Sequence, residues 1–70
     1  MKFTKFIKPE LEKIKENANF TDDEERIFTL LCRGFSQKQI SSKENLSLRT
    51  IEYRVRAIKD KIKKVEEFDE

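Results

Sequence analysis

The 70-residue sequence has no histidine and no tryptophan, and one each of cysteine, glycine, proline and tyrosine. Each shortage excludes something. Without histidine there is no Ser-His or Cys-His nucleophile pair, and Cys32 alone makes neither an internal disulfide nor a zinc site. A lone Cys32 fits a reducing compartment and reads as a small buried hydrophobe. With so little glycine and proline, long loops, β-hairpins and a phosphate-cradling glycine loop are not expected. No apolar run approaches the ~20 residues that cross a bilayer. The lysine-bearing opening MKFTKFIKPE has no apolar block of signal-peptide length. A cytoplasmic protein is therefore expected, with no membrane span, metal or cofactor. Catalysis is not expected of a chain this short of reactive groups and of length for a pocket.

What is present is charge, phenylalanine and helical spacing. Charged residues make up 43% of the chain and hydrophobic ones 36%, which suits one small helical domain with a lean core. Phenylalanine supplies six of the seven aromatics, and large rings let few positions fill such a core. The net charge of +2 says little until it is mapped. Residues 1–35 balance seven basic against seven acidic side chains, residues 36–64 hold nine basic against three acidic, and residues 65–70 hold four acidic. The positive charge is concentrated in one stretch, as phosphate binding requires.

That stretch, Ser36 to Ile58, reads as two helices joined by a tight turn. Ser36 and Gln39 form a capping box, Ile40 anchors a short helix, and small Ser41 follows. Asn45 tolerates the left-handed backbone of a turn, Leu46 points inward, and Ser47 caps a longer helix from Leu48. Helix, turn and longer helix in this arrangement form a helix-turn-helix, whose second helix enters the DNA major groove.

The flanking segments complete an all-α bundle. Pro9 suits the first turn of a helix from about Lys8 to Asn17, with Leu11, Ile14 and Ala18 on one face. That face either packs on the domain's own core or dimerises. Thr21 and Glu24 form a second capping box, and Asp22, Asp23, Glu24 and Glu25 favour the positive end of the helix dipole. These four consecutive acids read as capping rather than as catalytic carboxylates. Phe20 is placed to staple onto the first turns, Ile27, Leu30 and Leu31 form a core stripe with Phe28 beside them, and Gly34 ends the helix. In the last helix, Leu48 to about Val65, the residues Ile51, Val55, Ile58, Ile62 and Val65 form a heptad-like stripe. Met1 to Lys8 reads as extended or weakly ordered, with its aromatics docking on the core or on a second subunit. The acidic tail 66–70 is expected to fray, since negative charge opposes the dipole at a helix C-terminus.

From Phe20 to Ile62 the chain resembles the LuxR/GerE-type DNA-binding domain. The resemblance rests on Phe20-Thr21-Asp22-Asp23-Glu24, on Ile27, Leu30, Leu31 and Gly34, on Ser36-Gln37-Lys38-Gln39-Ile40, and on Ser47-Leu48-Arg49-Thr50-Ile51. Sigma-factor region 4 and small phage regulators share nearly the same pattern. Glu44 stands where the family usually has an apolar residue and Asn45 where it usually has glycine. The sequence stops at Glu70, before the family's fourth helix, which is commonly its dimer contact.

The organisation expected is an N-terminal segment and helix over 1–19, a helix-turn-helix domain over 20–65 and a tail over 66–70. The function expected is sequence-specific binding of double-stranded DNA for transcription regulation, with residues 48–60 in the groove. By side-chain chemistry Arg49 and Arg56 suit guanine, Glu52 a cytosine amino group or an ion pair with Arg56, and Tyr53 a thymine methyl or a phosphate. Lys59 shares this helix face. The resemblance implies base contacts from Glu52, Tyr53 and Arg56, and backbone contacts from Gln37, Lys38, Thr50 and Arg54; Ser47 joins the phosphate set. A homodimer is expected, through Phe3, Phe6, Ile7, Leu11 and Ile14 or through Ile62, Val65 and Phe68. The alternative is a module like sigma region 4 that binds RNA polymerase or another regulator.

Overall fold

The caps and stripes of the sequence become four α-helices: α1 over Lys8–Asn17, α2 over Asp22–Cys32, α3 over Gln37–Glu44 and α4 over Leu48–Phe68. The computed structural model describes residues 3–68, with side chains through residue 65. No strand occurs among the described residues.

The helix ends form as their residues dictate. Thr21 Oγ1 accepts from the Glu24 N–H at 3.2 Å while Glu24 accepts from the Thr21 N–H at 2.9 Å. Ser36 and Gln39 repeat this reciprocal pair at 3.1 and 2.8 Å. Glu10 also reaches back to the Ile7 N–H at 3.1 Å, a start signal for α1 that the sequence reading missed. Two helices end in the same Schellman motif. After α2, Gly34 takes φ +95°, the Phe35 N–H donates to the Leu30 carbonyl and the Gly34 N–H to that of Leu31. After α3, Asn45 takes φ 56°, with Leu46 donating to Ser41 and Asn45 to Ser42. A side chain other than glycine in this region is strained, and asparagine tolerates it best. Asn45→Gly should therefore leave the urea midpoint nearly unchanged, whereas Asn45→Ala should cost about 1 kcal/mol.

The core is one cluster that runs through every element. Phe28, Ile27, Ile40, Ile51, Ile58 and Ile62 are its fully buried large side chains. Phe28 is at its centre rather than at the edge of a stripe: the rings of Phe20, Phe3 and Phe6 surround it at centroid distances of 5.1, 6.0 and 6.4 Å. Phe20 thus packs two turns into α2 instead of stapling the first turns. Phe3 corrects the reading of the N-terminus as extended or weakly ordered. Residues Phe3–Lys5 form a 3-10 turn, and Phe3 is buried edge-on against Phe28. The gain from removing an aromatic ring from water holds the segment in place.

The heptad-like stripe of α4 is buried along its whole length, from Ile51 to Val65. Its second half meets α1, where Ile14 and, just past the helix end, Ala18 are buried in the same cluster. The surfaces expected to dimerise are therefore largely occupied within the chain: Phe3, Ile14, Ile62 and Val65 are buried, Phe6 and Leu11 are half-buried, and Ile7 is exposed. The side chain of Phe68 lies outside the described residues. Helix α4 also runs to Phe68, three residues beyond the end expected from the acidic tail. The α1 packing at Val65 supports helix where local charge argued for fraying. Asp69 and Glu70 of the proposed tail lie outside the described residues.

Candidate nucleic-acid interface

Helix α4 starts from a formed cap. Ser47 Oγ accepts from the Thr50 N–H at 3.2 Å and lies 2.8 Å from Thr50 Oγ1. Ser41 Oγ donates to the Leu46 carbonyl and so locks the turn from the α3 side. These bonds set the angle at which α4 leaves α3.

With the apolar stripe of α4 turned inward, the 3.6-residue period turns Arg49, Glu52, Tyr53, Arg56, Lys59 and Lys63 outward, and all six are exposed. Arg49, Glu52, Tyr53 and Arg56 line one shallow concavity of about 190 Å³. On one side Glu52 and Arg56 join Gln37, Lys59 and Asp60 in a groove against the start of α3. On the other, Arg49 and Tyr53 join Thr50 and Arg54. Lys38 is exposed on the first turn of α3. Nothing among the described residues pairs Glu52 with Arg56, so both are open to a ligand. Asp60 is an exposed carboxylate beside Lys59 to which the sequence reading gave no role.

Two of the basic residues counted toward the DNA-reading stretch face inward. Arg54 is half-buried, its Nη2 lies 3.5 Å from Asp23 Oδ2, and its Nε is buried without a partner. Lys61 Nζ lies 2.5 Å from Glu24 Oε1 and donates to the Asn19 carbonyl at 3.2 Å, which a left-handed Asn19 (φ 55°) presents to it. Burial would raise the Glu24 carboxyl, but the bonds from Lys61 and Thr21 outweigh it and hold the group below its ordinary value. The acidic first turn of α2 therefore does more than cap. Asp23 also takes Arg26 at 2.7 Å, and Arg26 Nε donates to Glu44 Oε1 at 3.0 Å. Glu44 is thereby accounted for: the chain Glu44–Arg26–Asp23–Arg54 ties α3, α2 and α4 together by charge at a place where the family usually has an apolar residue.

Cys32 is half-buried, and burial pushes its thiol up to about 11. A thiol in that state is inert at neutral pH, in keeping with a packing role. No cluster of His, Cys, Asp and Glu that could hold a metal ion occurs among the described residues. No described helix is long and apolar enough to cross a membrane.

A capped scaffold helix, a left-handed asparagine turn and a longer helix with one buried apolar face and one exposed, largely basic face form a helix-turn-helix. Residues 18–66 match the GerE family, described as bacterial regulatory proteins of the luxR family, and the chain belongs to it. Its members are DNA-binding helix-turn-helix regulators. No curated protein and no solved structure matches the chain.

Proposed function

We propose that this chain is a sequence-specific regulator of transcription that acts in the cytoplasm and lays residues 48–60 of α4 in the major groove of double-stranded DNA. The observation that carries this reading is the joint exposure of Arg49, Glu52, Tyr53 and Arg56 in one concavity on a firmly capped helix. Arg49 and Arg56 suit the O6 and N7 acceptors of guanine, and Glu52 accepts from a cytosine amino group. Tyr53 serves a thymine methyl or a phosphate. Gln37, Lys38, Ser47, Thr50 and Lys59 border this face and contact phosphates; Arg54 joins them by exchanging its long contact with Asp23 for a phosphate oxygen. A single module of this kind covers only ~600–1,000 Å² of protein surface on DNA, so the reading includes a homodimer on two half-sites.

Selection from a random duplex library at physiological salt tests the proposal. A symmetric enriched motif is expected. Arg49→Ala and Arg56→Ala should each relax preference at particular bases, by about 1–3 kcal/mol per lost bidentate contact. A flat selection, with wild type and both variants equally weak, would overturn it.

A further inference from the structure

Three large hydrophobic side chains are exposed among the described residues: Ile7, Leu48 and Tyr53. Ile7 is at the start of α1. The other two are on the first turns of α4. Leu48 is 42% exposed and does not belong to the group of apolar residues packed on the core. It is the first residue of the helix, so its position needs no apolar side chain for capping: Ser47 provides the cap and Ile51 begins the buried stripe.

Leu48 is one helical turn before Glu52 and therefore shares its side of α4. Tyr53 is on the opposite edge of the same exposed face, with Arg49 and Arg56 between them. In a helix-turn-helix the N-terminal residues of the second helix approach the base edges most closely. A leucine side chain there offers no donor, acceptor or charge, so the side chain contributes nothing to phosphate binding. The apolar feature that a major groove presents is the C5-methyl group of thymine.

From this placement we infer that Leu48 is a specificity-determining residue that packs on the methyl group of a thymine next to the base read by Glu52. The inference rests on the DNA-reading function proposed above and adds a contact to it. It makes Leu48 and Tyr53 two separate apolar readers, one at each edge of the charged centre.

The test is a double-mutant cycle on the selected operator. Each thymine is replaced in turn by uracil, which removes the methyl group and leaves every hydrogen-bonding group in place. Binding is measured for wild type, Leu48→Ala, Leu48→Gln and Tyr53→Ala. At one thymine per half-site, uracil should weaken wild type about fourfold, the factor for losing one buried methyl. The same replacement should leave both Leu48 variants within about 1.5-fold, while Tyr53→Ala keeps the full fourfold response. Unchanged urea midpoints in the Leu48 variants would show that the contact, rather than the fold, was removed. A response to uracil that persists in both Leu48 variants, or that disappears only in Tyr53→Ala, would overturn the inference while leaving the DNA-reading function intact. A library that yields no operator would overturn both.

Discussion

Phe28→Ala is expected to remove a large share of the chain's folding stability, about 3–5 kcal/mol. The side chain has no exposed surface and carries the rings of Phe3, Phe6 and Phe20 around it. Truncating a buried phenylalanine costs about 3–5 kcal/mol, the lost transfer energy plus a cavity the surroundings do not fill. At roughly 0.05–0.15 kcal/mol per residue, a domain of this size holds only about 3.5–10 kcal/mol in total. Urea titration followed by helical circular dichroism measures the loss. Phe28→Leu, which keeps much of the volume, should retain a cooperative transition at a lower midpoint. If Phe28→Ala fell within 1 kcal/mol of wild type, the ring cluster would not be the centre of the core.

The second large effect is expected at Lys61, on the flank of α4 that meets the start of α2. Lys61→Met leaves the Glu24 carboxylate 4% exposed with its counterion gone. Breaking a fully buried pair this way costs about 3–5 kcal/mol; the Lys61 side chain is 31% exposed, so about 2–3 kcal/mol is expected. The pH dependence separates this from simple loss of packing. In wild type Glu24 is held below its ordinary value of 4.5, so folding favours the ionised form. That contribution is complete above pH 4.5 and is lost as pH falls through the depressed value. In Lys61→Met the Thr21 bonds remain but the Lys61 contribution is gone, so the carboxyl rises relative to wild type and the variant should lose less stability than wild type on acidification. The double variant Glu24→Gln/Lys61→Met should recover part of the loss at neutral pH. Urea midpoints between pH 3 and pH 7 test all of this. Parallel pH profiles for wild type and Lys61→Met would show that the pair does not control acid stability.

What was legible in the sequence depended on range. Ser36 with Gln39, Thr21 with Glu24, Asn45 and Gly34 act within a few residues, and each forms the cap or turn its chemistry requires. The exposed face of α4 followed from helical period once the apolar stripe was known. Pairings between distant residues leave no local pattern. Glu24 and Lys61 are 37 positions apart, and Arg26 and Glu44 are 18 apart. That Phe3 docks on the core rather than on a second subunit is not written beside it in sequence, because its partner ring, Phe28, is far along the chain. Of the candidate DNA contacts, Arg54 is expected at a phosphate, and nothing beside it in sequence shows that Asp23 lies 3.5 Å from it. Seven residues separate Arg54 from Lys61, two turns along one flank of α4. A cation pair at that spacing was the one available sign that this flank faces the acidic start of α2.

Those two tethers have an evolutionary consequence. Lys61–Glu24 and, more loosely at 3.5 Å, Arg54–Asp23 tie one flank of α4 to the start of α2 at points two turns apart, and the Lys61 contact holds the helix's roll even where Arg54 turns to a phosphate. Residues 49, 52, 53 and 56 are then free of any duty to the scaffold. On the proposed function they form, with Leu48, an exchangeable cassette: one lineage could change operator repeatedly through five codons while inheriting the same core, caps and ion pairs.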